Sequence, residues 1–424
     1  MSAARRDALA AADQTLRSLT SLNFAIAAMQ AGFGPFISVR LTASGWNPAE
    51  IGFALSAALI ASVIAQVPSG IVIDLFGARR SLTATAILAS IAALLMLSLA
   101  PGFALVLAAQ IVQGSAGVGL SLAVTAITLS VCHQAVLGER LGRNVRAAAI
   151  GAAGGSALLG AVASWVSPEA AFVLAAAFGV PALLALRGIA PADIATADRR
   201  TGHHTAPPPR ARRSPPVPAH RLLRDRGMVA LLGVTALFQF ANASLLPLVA
   251  TAYTHAAGTR AGLVTAAAVI GPQLLAALLS PYVGRAANLH GRRLVLMLGL
   301  AAVPLRAAGF AVGGAIGPML AVQLLDGVSA AVIGVMVPLI AADVTHRGGR
   351  FNFALGTAGL VGALGASLGT SLSGGIALHA GLPVAFLSLA VAGLGAILVA
   401  WAWLPETAQL PASLPAPSEG GVIA

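Results

Sequence analysis

Twelve stretches of about twenty or more residues, nearly free of charge and bounded by arginine, proline or glycine, run through this chain. They fall at 18–40, 50–72, 81–100, 103–129, 146–166 and 169–187, then at 228–251, 261–283, 294–313, 317–340, 353–377 and 382–404. A hydrocarbon layer of ~30 Å is crossed by ~20 apolar residues of helix, so each run is long enough to span a membrane. Only 9% of the 424 residues are charged and 58% are hydrophobic, where an ordinary soluble domain carries about 25% charged residues. Lipid is therefore the expected solvent for most of the surface, and the predicted fold is all-α with twelve transmembrane helices.

The first run is long for a signal-peptide core, and Val39-Arg40-Leu41 at its end lacks small cleavage-site residues, so it is read as the first span. Between the sixth and seventh runs lie Pro207-Pro208-Pro209, Pro215-Pro216, His203-His204 and many arginines, a composition that can neither bury itself nor enter hydrocarbon. The expected layout is a six-helix bundle at 1–187, a solvated linker at 188–227, a second bundle at 228–404 and a disordered tail at 405–424.

A net charge of +12 would suggest a nucleic-acid partner in a soluble protein, but here the basic residues occupy the short gaps between apolar runs. Every basic residue is arginine, and with the termini on one side 22 of the 25 fall on that side. Arg40 and Arg260 fall on the other, and Arg306 lies inside a span. The positive-inside rule then makes both termini and the linker cytoplasmic, in a multi-pass protein of the bacterial inner membrane. The single cysteine, Cys132, forms no internal disulfide. No Cys/His spacing suggests a metal site, and no cofactor is expected.

The two sets of six repeat. Gly70, Asp74, Leu75 and Gly77 align with Gly284, Asn288, Leu289 and Gly291 at an offset of 214, and Gln110 to Gly114 align with Gln323 to Gly327 at 213. Duplicated units are a usual build for transporters that rock around a central site.

The stretch Gly70-Ile-Val-Ile-Asp74-Leu-Phe-Gly77-Ala-Arg79-Arg80 resembles the signature loop of the major facilitator superfamily, between spans two and three. A weaker copy, Gly284-Arg-Ala-Ala-Asn288-Leu-His-Gly291-Arg292-Arg293, stands where that family has its second. The resemblance implies two pseudo-symmetric six-helix bundles moving a solute by alternating access. It also implies that this loop secures the halves on the cytoplasmic side when the site faces outward. Gly70 and Gly77 permit a tight turn and close helix approach, while Asp74 can hold Arg79 or Arg80, cap a neighbouring helix, or simply keep a short loop wet. Gln110 stands where proton-driven drug exporters often carry arginine, and the fifth span lacks their Gly-Pro pair, which favours uptake over efflux.

An ionisable residue at span depth costs at least ~2.5 kcal/mol on insertion scales and needs a partner or a wet cavity. Arg306 and Asp326 are the two, at comparable distances from the turn near Gly313 to Pro318. Burial favours the neutral form of a carboxylate and a nearby cation its charged form, which suits Asp326 to proton exchange. A permanent pair fixing two helices is the structural alternative, and Arg306 could also snorkel or meet an anionic solute group. Gln110 with Gln113, and Gln323 with Asp326, are spaced i, i+3 and share a helix face in each repeat. Gln30 lies near mid-span in span one, and Gln239 with Asn242 in span seven. The resemblance implies that spans one, four, seven and ten line the cavity, and these four carry the amides. Interhelical hydrogen bonding is the alternative for each.

The function expected is secondary transport of a small organic solute, proton-coupled, with uptake by symport ahead of efflux of a drug or metabolite, in a monomer contacting lipid, solute and protons. A membrane sensor is the different class, and an enzyme lacks any convergent set of His, Asp and Ser at span depth.

Overall fold

The computed structural model describes residues 3–33, 37, 40–41, 44, 46, 48–76, 79–99, 102–132, 134–189, 219–257, 261–345 and 350–407. Among these residues the chain is helical and contains no strand. The first half holds α1 (Ala3–Gln30), α2 (Pro48–Phe76), α3 (Arg79–Ser98), α4 (Phe103–Val131), α5 (Gln134–Trp165) and α6, in segments Pro168–Ala177 and Gly179–Arg187. The second holds α7 (Arg226–Ala257), α8 (Ala261–His290), α9 (Arg292–Val312), α10 in segments Ile316–Gln323 and Leu325–Thr345, α11 (Phe351–Ala380) and α12 (Leu382–Trp403).

Eleven of the expected spans, carried by α2 to α12, are long and apolar enough to cross a membrane. The helix bearing the first span starts well before position 18 and passes at Gln30 into a 3-10 turn, Ala31–Phe33; positions 34–36 and 38–39 of that span lie outside the described residues. The helix ends follow local chemistry. Ser167 caps α6, its hydroxyl accepting from the Ala170 N–H at 3.2 Å, with Pro168 in the first turn. Gly291 and Gly381 turn at positive φ, 90° and 86°, which lets α8 meet α9 and α11 meet α12 across a single residue.

One apolar core, around Leu19, Leu22, Met29, Leu94 and Phe172, belongs to the first half. The other gathers Phe238, Leu300, Phe310, Met336 and Phe386 of the second half and also takes in Cys132, Leu137 and Leu141 from the first. Leucines such as Leu59, Leu298 and Leu398 remain more than 60% exposed, the surface that lipid must cover.

The halves meet where α5 packs on α8 and α2 on α11. A methyl group on Gly142 would lie 2.2 Å from the Ser280 carbonyl oxygen, and one on Gly356 would lie 2.5 Å from that of Gln66. Each member of one contact maps onto a member of the other at the 214-residue offset of the repeat, so duplicated sequence has become a pseudo-two-fold interface.

The structure corrects the expected tail at its start. Pro405 to Thr407 are described, and both Glu406 and Thr407 are bonded to the second half. The proline-rich remainder lies outside the described residues.

Candidate functional site

A cavity of about 410 Å³ lies between the two halves. Ala27, Gln30 and Ala31 contribute from α1 and the turn after it, Val145, Ala148, Ala149, Ala152 and Ser156 from α5, Gln273 and Ala276 from α8, and Ala330 from α10. Of the amides singled out in the sequence, only Gln30 lines it. Gln113 of α4 donates its side-chain N–H to Gln30 Oε1 and so anchors that amide from behind.

Gln110 and Gln323 are placed elsewhere. They are 2% and 0% exposed, and each reaches a backbone carbonyl of a neighbouring helix, Ala54 of α2 at 3.5 Å and Ala268 of α8 at 3.2 Å. Each is followed one turn on by a glycine, Gly114 or Gly327, pressed against the same neighbouring helix. These two amides join helices within each half. Gln239 of α7 lies against Gly362 of α11.

Arg306 and Asp326 do come together. The Arg306 guanidinium, 1% exposed, pairs with Asp326 Oδ1, whose side chain keeps 27% of its surface. Arg306 also donates to Asn242 Oδ1 at 2.7 Å, so α7, α9 and α10 meet at this one cation. α10 breaks at Leu324, which puts Asp326 in the first turn of its longer segment. Four residues on, and so on the same helix face, Ala330 lines the cavity.

The signature loops lie on the arginine-rich face. Asp74 Oδ1 accepts from the Asn352 backbone N–H at 3.2 Å and its side chain at 2.7 Å, and Oδ2 accepts from the Phe353 N–H at 2.9 Å. Asp74 thus caps the positive end of α11 from the other half. A methyl on Gly70 would stand 2.3 Å from the Asn352 carbonyl oxygen, and one on Gly284 would stand 2.0 Å from that of Gly138, so both glycines allow backbone contact between halves. Arg80 donates to the Arg187 carbonyl at the end of α6, at 3.4 Å. Gly77 lies outside the described residues.

The second loop works differently. Asn288 Oδ1 accepts from Arg292 at 2.9 Å, and Arg292 also meets Asp343 at 3.2 Å, all within the second half. The Arg293 guanidinium donates to the Trp401 carbonyl. A polar tie across α5 and α8 is made by Glu139 of α5, which accepts from Arg285 of α8 at 3.0 Å and from Arg143 at 2.8 Å. Cys132, just past α4, is packed beneath this face; burial pushes its thiol up to about 11, against the pull of the Arg140 charge.

Sequence reasoning missed Ser156, Gln273, Glu139 and Glu406. Gln273 had a signal, an amide at mid-run beside Pro272, and Glu139 had another, an acid among the arginines before the fifth run. Among the described residues no group of three His, Cys, Asp or Glu side chains could hold a metal ion.

The sequence profile of the Major Facilitator Superfamily matches residues 19–248 and 228–420. Two Mycobacterium tuberculosis proteins, from strains CDC 1551 and H37Rv and each named an uncharacterized MFS-type transporter, are 32% identical over 399 residues, covering 92% of this chain and 93% of theirs. The human organic anion transporter MFSD10 is similar in structure, with a TM-score of 0.67, 16% identity and coverage of 92% of this chain and 99% of that one. The proton:xylose symporter XylE has a TM-score of 0.69 at 15% identity, covering 94% and 97%. The E. coli fucose:proton symporter FucP has a TM-score of 0.65 at 15% identity, covering 91% and 97%.

Proposed function

Because the chain belongs to the major facilitator superfamily, we propose that it is a secondary active transporter that takes up a small organic solute by alternating access, with protons as the coupling ion. The observation that supports this reading is a cavity between two halves that named contacts clamp together on the arginine-rich face. Asp74 on α11 and Glu139 on Arg285 hold the arginine-rich face closed, and the chamber of about 410 Å³ lies deeper, toward mid-membrane. Parting those contacts while the opposite face closes would expose the chamber to the other side.

Asp326 is the coupling group in this reading. It sits one turn from Ala330 in the cavity wall, retains 27% of its side-chain surface and faces a cation that competes with a proton for it. Proton arrival weakens the hold of Arg306 on α10, and proton departure restores it, which links occupancy to helix position. The arginine distribution supports an inner-membrane orientation with both termini and the linker cytoplasmic. The bundles are assigned to 1–187 and 228–404, and the working unit is the monomer.

The test is a screen of small organic solutes in proteoliposomes with an imposed pH gradient, run in both directions on the parent protein and on Asp326→Asn. A solute should accumulate with the proton gradient in the parent and lose that dependence in the variant. Equal gradient-driven accumulation by both would remove Asp326 from the mechanism, and accumulation only when the lumen is the acidic side would make the protein a proton-driven exporter.

A further inference from the structure

We infer that the cavity takes an electroneutral, largely apolar solute with two or three hydrogen-bonding groups, in preference to an ion or a polyhydroxyl sugar. The inference rests on reading this chamber as the transported solute's site. Among the described residues that line it, eight of eleven are alanine or valine, the other three are Gln30, Ser156 and Gln273, and none is ionisable. An ion that left water for such walls would find no countercharge, a cost that selects against ionised solutes.

Two charged groups stand one turn from a lining residue: Arg146, exposed, three residues before Ala149 on α5, and Asp326, four residues before Ala330 on α10. Asp326 lies one turn beyond Ala330 but is held by Arg306, and Arg306 is 1% exposed, with a further bond to Asn242. While Asp326 is ionised the pair carries no net charge, and its cationic member is buried. An organic anion of the kind named for the human structural neighbour would meet no arginine among the described residues that line the chamber.

Polyols fail for a different reason. Gln30 Oε1 already accepts from Gln113, so the walls offer two amides, one of them partly used, and one hydroxyl. A pentose or hexose brings four or five hydroxyl groups, several of which would leave water with no partner. Among the described lining residues there is no aromatic ring to stack against a sugar face. The volume nonetheless lies within the ~300–1,000 Å³ usual for small-molecule sites, because the walls are alanine rather than leucine or phenylalanine.

The experiment uses three photoreactive probes with one frame: a trifluoromethyl-diazirinyl benzyl alcohol, the corresponding benzoate and the corresponding benzylammonium. The full-length protein in lipid nanodiscs is irradiated with each, and labelled positions are mapped by peptide mass spectrometry. The alcohol should label 27–31, 145–156 and 273–276 about tenfold more than either charged probe, in keeping with the uncharged walls. That label should fall in Ala149→Phe and in Ala276→Phe, which fill the chamber, while lipid-facing label around Leu398 stays constant. Excess xylose or fucose should not compete.

The inference is overturned if the benzoate or the benzylammonium labels these segments as heavily as the alcohol, if either sugar displaces the alcohol, or if neither bulky variant reduces its label. Labelling requires no turnover. A chamber that labels as expected in a protein that moves no solute would therefore sink the transport reading and leave the chemistry of the chamber standing.

Discussion

The carboxylate of Asp74, in the last turn of α2, holds the backbone N–H of Phe353 at 2.9 Å from the opposite half of the molecule. The first N–H groups of α11 have no partner within their own helix, and a negative charge there is favoured by the aligned peptide dipoles. Replacing Asp74 with alanine removes the cap, at a cost of about 1 kcal/mol. Amide hydrogen exchange at Asn352 and Phe353 should then accelerate roughly five- to tenfold, a factor that follows from that cost, while mid-helix amides near Gly365 keep their protection. Unchanged exchange at the two capped amides would mean that the halves are held by other contacts.

The helices could be read from the chain because a run of twenty uncharged residues has few ways to satisfy its backbone in lipid. The internal repeat was equally legible, and its offset reappears in the paired contacts of Gly142 with Ser280 and Gly356 with Gln66. The site was harder to read. Spacing puts Gln110 and Gln113 on one helix face, but spacing does not say which neighbour that face meets. Gln110 turned to the Ala54 carbonyl while Gln113 turned to Gln30. Gly114, four residues after Gln110, was the overlooked clue, since a glycine at that distance marks where a neighbouring backbone comes close. Glu406 was invisible for a different reason. It stands at the head of a proline-rich tail, and only the fold places it beside the amides that open α9.

Cys132 should behave as a reporter of opening at the arginine-rich face. It is 7% exposed and packed with Leu137 and Leu141 against the second half's core. Its thiol is pushed from 9.0 up to about 11, so the neutral form is favoured in the folded protein. The stabilisation this implies is complete below pH 9.0 and is lost as pH rises through about 11. Alkylation by a membrane-permeant alkylating reagent should be slow at neutral pH and keep rising up to about pH 11, past the pH of roughly 10 at which an ordinary thiol levels off. Asp74→Ala or Glu139→Gln should accelerate it at fixed pH by loosening the clamp, and an unchanged rate in both would place Cys132 away from the moving interface.

Glu406 caps α9 as Asp74 caps α11, although from within the same half. Its two carboxylate oxygens accept from the Arg292 N–H at 2.7 Å and the Arg293 N–H at 3.2 Å. Glu406→Ala should cost about 1 kcal/mol, seen as a lower Tm of the purified protein. Gly291→Ala should cost more, because its φ is +90° and the added methyl would stand 2.5 Å from Glu406 Oε2. In the double variant the clash is gone, while the backbone strain and the lost cap remain. The two losses in Tm should therefore sum to more than the loss in the double variant, and strict additivity would show that the tail is not seated on Gly291.

The two members of the Arg306 and Asp326 pair differ in burial, and that difference predicts unequal penalties. Arg306 is 1% exposed, so Asp326→Asn strands a cation away from water at a cost on the order of 3–5 kcal/mol. Asp326 keeps 27% of its surface, so Arg306→Met leaves a carboxylate that can still take up water or a proton, and its loss in Tm should be smaller. Replacing both, as Arg306→Met with Asp326→Leu, should recover most of the stability, since two well-packed apolar side chains often match a buried ion pair. Flux measured on the same three variants then separates the two roles of the pair. A pair that only fixes α9 to α10 would regain gradient-driven transport together with its stability. A pair that carries the proton would regain the Tm and still fail to follow the pH gradient, because no group that binds and releases a proton would remain beside Ala330.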